Sequence, residues 1–367
     1  MYTLSLFASV FCFVNVVYAN ERPQEILEQM TLDQKISQII MSYPPLSKTD
    51  PVDVGAIILT GNLMRSEEQI VNKIQSLSSR ATIPLFFAAD VEGGKLNKFS
   101  FDLSLKDLPP NSEISTIESA QKWGEEVGTA MNRMGLNMAL APVLDVADEG
   151  LMYTSNRSFR GSTEQVSALG RSYSQGLALH GIAAMGKHWP GYGNVEENTD
   201  HHFVVTERSR EDIEKDKKAF VDVGTNLTGV MLANVGYSSY DNKPAILSKT
   251  LVAEAHAHGW LTITDDLSIK ALSEATNGDQ EEVVRQAFLA GNDFLLTTAP
   301  LDWEKSLDYR GIIKELIVAD PSYETILDDA VLRILQAKEK SRLLGQVPEI
   351  QDRDGNSHGD REPKYEK

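Results

Sequence analysis

The run Ile182-Ala183-Ala184-Met185-Gly186-Lys187-His188-Trp189-Pro190-Gly191-Tyr192-Gly193-Asn194-Val195-Glu196-Glu197-Asn198-Thr199-Asp200-His201-His202 is the stretch from which the fold can be read. Its apolar start has the character of a buried strand, and the strand ends in Lys-His before opening into a Pro/Gly-rich loop full of ionisable side chains. That order puts cationic and acid/base groups at the rim of a sheet, where α/β folds build active sites. The implied class is an enzyme.

Three further segments repeat the grammar of apolar run and polar tip: Pro84 to Asp90 running into Glu92-Gly93-Gly94-Lys95, Leu136 to Val146, and Leu261 to Ser268. Val54 to Leu59 reads as the first strand of the sheet, and 228–235 and 293–298 as later ones. Helical patterns lie between, over 117–134, 163–180, 209–223 and 279–290. Thr31-Leu32-Asp33-Gln34 has capping-box spacing ahead of apolar Ile36, Ile39 and Ile40, so a helix starts near Thr31. A last helix spans about 325–344 and stops at Gly345. Strands alternating with helices imply a parallel sheet covered on both faces. Periodicity alone does not separate a closed barrel from an open, doubly wound sheet.

The polar tips carry a resemblance. Asp90-x-Glu92-Gly93-Gly94, Ala141-Pro142-Val143-Leu144-Asp145-Val146, Arg157-Ser158-Phe159, Lys187-His188-x-Pro190-Gly191 and Thr264-Asp265-Asp266-Leu267-Ser268 occur in that order between about residues 30 and 345. The chain resembles the family 3 glycoside hydrolases, in particular their single-domain β-N-acetylglucosaminidase branch. The resemblance implies one (β/α)8 TIM-type barrel as the catalytic domain, over residues 20–345. It implies an exo-acting retaining β-glycosidase, a β-N-acetylhexosaminidase that releases terminal GlcNAc through a covalent glycosyl-enzyme. A β-glucosidase-like family 3 hydrolase and a barrel that binds sugar without cleaving it are the alternatives.

Retaining hydrolysis needs a carboxylate nucleophile and a separate acid/base group. Asp265 matches the family nucleophile, and Asp266 is left a structural role. The family's acid/base loop carries an Asp-Ser-His dyad, whereas counting without gaps from Lys187 places Asn198-Thr199-Asp200 there. In that register Asp200 is the acid/base. A two-residue shift uses Asp200-His201-His202 and restores Asp-x-His, with His202 as the proton carrier and His201 a third candidate behind it. Asp90 matches a carboxylate that accepts hydrogen bonds from sugar hydroxyls, and Arg157, Lys187 and His188 match donors that grip the sugar. Lys98 stands where the family has arginine, so a forked, two-point contact is lost at that position.

Lys and Arg number 35 against 53 Asp and Glu, a formal charge of −18 in 367 residues. That balance opposes nucleic acid and anionic membrane surfaces and leaves a neutral or locally neutralised ligand easier to accept. The resemblance implies a carbohydrate substrate, a GlcNAc-containing oligosaccharide or wall fragment. Residues 1–19 carry no charged side chain and end in Val17-x-Ala19, the pattern of a cleaved signal peptide. A secreted or periplasmic enzyme without stable membrane insertion after leader cleavage is expected, with a retained N-terminal anchor as the alternative. Cys12, the single cysteine, lies inside that segment, so disulfide and thiol chemistry are excluded from the mature chain. His201 and His202 are adjacent rather than four apart on a helix, and Gly93-Gly94 lacks a following Lys-Ser/Thr, so neither a metal nor a nucleotide cofactor is called for. The polar tail 346–367, with Val347 and Ile350 its only aliphatic residues, is expected to be disordered. The sequence leaves the oligomeric state open.

Overall fold

The computed structural model describes residues 22–45, 47–60, 65–298 and 303–345. The expected leader over 1–19 and the polar tail over 346–367 lie outside these residues.

Helix α1 (Leu32–Gln38) starts as its sequence requires. The Thr31 hydroxyl accepts from the Gln34 backbone N–H, and the Gln34 side chain accepts from the Thr31 N–H at 2.8 Å. The apolar run then departs from the helix that Ile39 and Ile40 were expected to continue. Ile40–Ser42 is the first barrel strand, β1, and the Ile39 carbonyl already accepts from Leu295 N–H at 2.8 Å. Val54–Leu59 therefore holds the second strand, β2 (Ala56–Ile58), not the first. The remaining strands match the expected runs, with β5 alone running one residue past its expected end at His188: β3 (Phe86–Ala89), β4 (Met138–Ala139), β5 (Ala183–Trp189), β6 (Gly229–Leu232), β7 (Leu261–Ile263) and β8 (Leu295–Thr297).

All the pairings in this eight-stranded sheet are parallel, in the order β8-β1-β2-β3-β4-β5-β6-β7. A parallel bridge between Ile263 and Phe294 joins the ends. Thr264 N–H donates to the Phe294 carbonyl and Phe294 N–H to the Thr262 carbonyl, each at 3.0 Å, and the sheet closes into a barrel. Every residue of the eight strands is buried, because side chains inside the ring pack on one another and those outside pack under helices. The outer helices are α2 (Glu67–Ser78), α3 (Ile117–Met134), α4 (Thr163–Leu179), α5 (Arg210–Val223), α6 (Lys249–Ala257), α7 (Gln280–Leu289), α8 (Trp303–Ala319) and α9 (Glu324–Lys340). The fold is a single (β/α)8 barrel of the TIM type.

Helix α9 stops at Lys340, earlier than the Gly345 stop. Arg342 takes the left-handed conformation (φ 58°). Its N–H donates to the Glu339 carbonyl, and Leu343 N–H donates to the Lys338 carbonyl, each at 2.8 Å. This is a Schellman ending with arginine where glycine is usual, a choice that residue preference does not reveal. Among the described residues, no helix is long and apolar enough to cross a membrane.

Candidate active site

A cavity of about 540 Å³ opens at the C-terminal end of the barrel, and every strand brings lining to it: Tyr43 after β1, Ile58 of β2 and Thr60 after it, Asp90 and Glu92 after β3, Leu140 after β4, Lys187 and His188 of β5, Met231 of β6, Asp265 after β7, and Leu296 of β8 with Thr298 after it. The volume lies in the range of small-molecule sites.

Lys187 and His188 are neighbours in one strand, yet both side chains line this cavity. A regular strand would send them to opposite faces. The ladder to β6 shifts register between Lys187 and Trp189, an irregularity that re-aims a side chain. The loop that follows depends on Gly191, at φ 126° with its missing Cβ only 2.5 Å from the Cβ of Asp216.

The cationic groups at the mouth are paired in detail. Glu92 takes a forked contact from Arg157, Nε to Oε2 at 2.6 Å and Nη2 to Oε1 at 2.8 Å. Lys187 Nζ lies 2.6 Å from Glu92 Oε1 and 2.8 Å from Asp90 Oδ1. Burial works to raise the Glu92 pKa, but Lys187 and Arg157 outweigh it and hold the carboxyl far below its ordinary range. Burial likewise works to lower the Lys187 pKa, and Asp90 with Glu92 reverses the direction, so the ammonium stays charged. His188 Nδ1 meets Asp145 Oδ2 at 2.7 Å, and Asp145 is fully buried. With its Nδ1–H donating to that carboxylate, Nε2 is left to accept from Arg157 Nη2 at 3.4 Å.

Asp265 follows β7. Its Oδ2 accepts from Asn234 Nδ2 at 2.9 Å and its Oδ1 from the Asp266 N–H at 2.8 Å. Burial is the largest influence on its carboxyl and pushes the pKa up, with His188 and the Asp266 N–H opposing and Asp200 adding to the rise. Asp266 is turned to the chain itself. Its Oδ1 accepts from Ser268 N–H and hydroxyl, at 2.9 and 2.6 Å, and the Thr298 hydroxyl donates to its Oδ2.

The structure thus brings Asp265, Asp200, Asp90, Lys98, Arg157, Lys187 and His188 to one cavity. Asp200 and Lys98 are exposed at its edge. His201 and His202 are not among the lining residues; the His202 side chain is 67% exposed, with Nδ1 3.9 Å from Glu274 Oε1. Four participants were not singled out from the sequence: Glu92, Asp145, Tyr192 and Asn234. For Asp145 and Asn234 a signal existed, since each is a polar residue breaking an apolar run.

A barrel mouth lined by carboxylates and by donors fixed on countercharges can grip sugar hydroxyls and supply the two carboxylates that glycoside hydrolysis needs. Residues 31–337 match the model of the Glycosyl hydrolase family 3 N terminal domain. The beta-hexosaminidase of Bordetella avium is 31% identical over 257 residues, covering 66% of this chain and 73% of the relative. That of Idiomarina loihiensis is 32% identical over 261 residues, covering 67% and 76%. Among solved structures, the Beta-N-acetylhexosaminidase from Beutenbergia cavernae matches with a TM-score of 0.74 at 25% identity, over 84% of this chain and 99% of that one. A glycoside hydrolase family 3 beta-N-acetylglucosaminidase from Paenibacillus sp. matches with a TM-score of 0.75 at 25% identity. That match covers 86% of this chain, which spans 63% of the Paenibacillus chain. The chain belongs to glycosyl hydrolase family 3.

Proposed function

We infer that this hydrolase removes terminal β-linked GlcNAc from oligosaccharides with retention, using Asp265 as nucleophile and Asp200 as acid/base. The observation that carries the reading is the Asp265 carboxylate. It stands at the end of β7, held by Asn234 and the Asp266 N–H, on a cavity that Asp200 also lines. Asp265 attacks the anomeric carbon while the glycosidic oxygen departs with the proton of Asp200. Water then gives a proton to Asp200 and displaces Asp265 from the sugar. Lys187, Arg157, His188 and Asp90 hold the hydroxyls so that the anomeric carbon meets Asp265, and their fixed pairing keeps that geometry without reorganisation. The beta-hexosaminidase names of the sequence relatives favour an N-acetylated sugar. The charge-free stretch 1–19 favours export, which processing at Asn20 in a secreting host tests.

A chromogenic panel of β-linked GlcNAc, glucose and xylose tests the sugar. GlcNAc release at least about tenfold above the others is expected, and equal or better glucose release overturns it. A slow fluorinated sugar should label Asp265. Labelling of Asp266 would overturn the nucleophile.

A further inference from the structure

The loop that carries Asp200 is fastened at its ends, by Leu151 N–H donating to the Val195 carbonyl at 2.8 Å and Phe203 N–H donating to Glu274 Oε2 at 3.1 Å. Beside Asp200 itself it is tied by Tyr192. Tyr192 is 3% exposed, and its hydroxyl lies 2.7 Å from Thr199 Oγ1 and accepts from the Thr199 N–H at 3.3 Å. Thr199 is buried while its neighbour Asp200 is exposed at the cavity edge. The base of the tie is itself hydrogen-bonded to a buried carboxylate. Asp145 Oδ1 accepts from Tyr192 N–H at 2.7 Å and from His188 N–H at 3.1 Å, and the Tyr192 and His188 rings meet edge-on with centroids 5.9 Å apart. One buried carboxylate therefore positions both the histidine of the sugar grip and the tyrosine of the loop.

We propose that the Tyr192 hydroxyl, by holding Thr199, fixes where the Asp200 carboxyl stands over the glycosidic oxygen, making Tyr192 a positioning residue for proton transfer. The proposal rests on the Asp200 reading above. Burial raises the Tyr192 pKa, so the phenol keeps its proton through the working range. Phenylalanine at 192 would fill the same space but leave the buried Thr199 N–H and hydroxyl without this partner, and the loop would lose its register. Loss of register harms a reaction in proportion to its need for a proton donor, and nitrophenyl leaving groups need little.

The test compares kcat/KM for a GlcNAc disaccharide and for nitrophenyl GlcNAc in Y192F, T199V, T199S, Y192F/T199V and D200A. Y192F and T199V should each lower the ratio of disaccharide to nitrophenyl activity at least about tenfold, and T199S, which keeps the hydroxyl, should restore it. The double variant should be no worse than Y192F alone, because the bond to Thr199 Oγ1 that T199V removes is already lost in Y192F, which also loses the Thr199 N–H contact. A Y192F variant with an unchanged ratio, alongside a D200A variant with a collapsed one, overturns the tether alone. A D200A variant with an unchanged ratio overturns the Asp200 reading and the tether with it.

Discussion

The two ends of the barrel each bury a cluster of charges, and they are built differently. At the mouth, Lys187, Arg157, Glu92 and Asp90 are locked together, yet the cluster faces the cavity, with Asp90 34% exposed. At the floor, Asp293 is fully buried and spent on the fold: Arg333 Nε donates to it at 2.7 Å, the Thr262 N–H at 2.8 Å, and His256 Nε2 lies 3.1 Å away. Lys338, also on the floor, donates to Gln38 Oε1 at 2.7 Å over the ring of Phe86. Similar chemistry holds a substrate at one end and a scaffold at the other, so in this barrel the strand end tells more about a charge than its burial does.

The largest effect should come from the mouth. D265N should lower kcat/KM at least about 10³-fold, some 4 kcal/mol of transition-state stabilisation, because an amide cannot attack as an anion. The same variant should melt higher than wild type at neutral pH. Burial raises the folded-state pKa of Asp265, so its charge costs stability above that pKa, and the cost disappears as pH falls below the unfolded value. Thermal melts at neutral and acidic pH check this; a gain that persists in acid contradicts it.

E92Q should follow. Removing the countercharge of buried Lys187 and half-buried Arg157 costs about 3 kcal/mol of stability, read by urea unfolding, and lowers kcat/KM as well. R333M at the floor should cost about 2 kcal/mol and leave kcat/KM within about twofold. Were R333M to damage turnover as much as E92Q does, the division between the two ends would fail.

The smallest effect sharpens the comparison. Burial pushes the Lys338 pKa down to about 7, against an ordinary value of 10.5. The folded chain then holds one proton fewer than the unfolded chain between those values, and stability rises with pH across them. K338M should stabilise by about 1 kcal/mol or more at pH 6, and the gain should fade toward pH 10. A gain independent of pH would mean that the lysine is charged where it lies.

Seven strands were legible in the sequence because each is a buried run ending in a polar tip. Strand β1 was not: Ile39-Ile40-Met41 continues the apolar spacing of α1, and three residues are too few for a change of period to register. Asp265 and Lys187 could be read from motifs, whereas Glu92 and Asp145 could not be given work from sequence alone. Their partners lie 65 and 43 residues away, at Arg157 and His188. Asp200 and His202 differ by two positions in register, and what separates them in the structure is a fold of the loop around the Tyr192 hydroxyl, which spacing does not encode.

The shift between Lys187 and Trp189 has a consequence for how this strand can change. A β-strand is a parity rule in which odd and even positions belong to opposite sides, and here the rule is reset once. Residues before the reset can be exchanged for others of like size. Deleting a single residue at the reset would restore strict alternation and turn either Lys187 or His188 out of the mouth. Point substitution and length change are therefore unequal currencies in β5: the strand can drift in composition, but its residue count between Ala183 and Trp189 is fixed by the need to aim twice in the same direction.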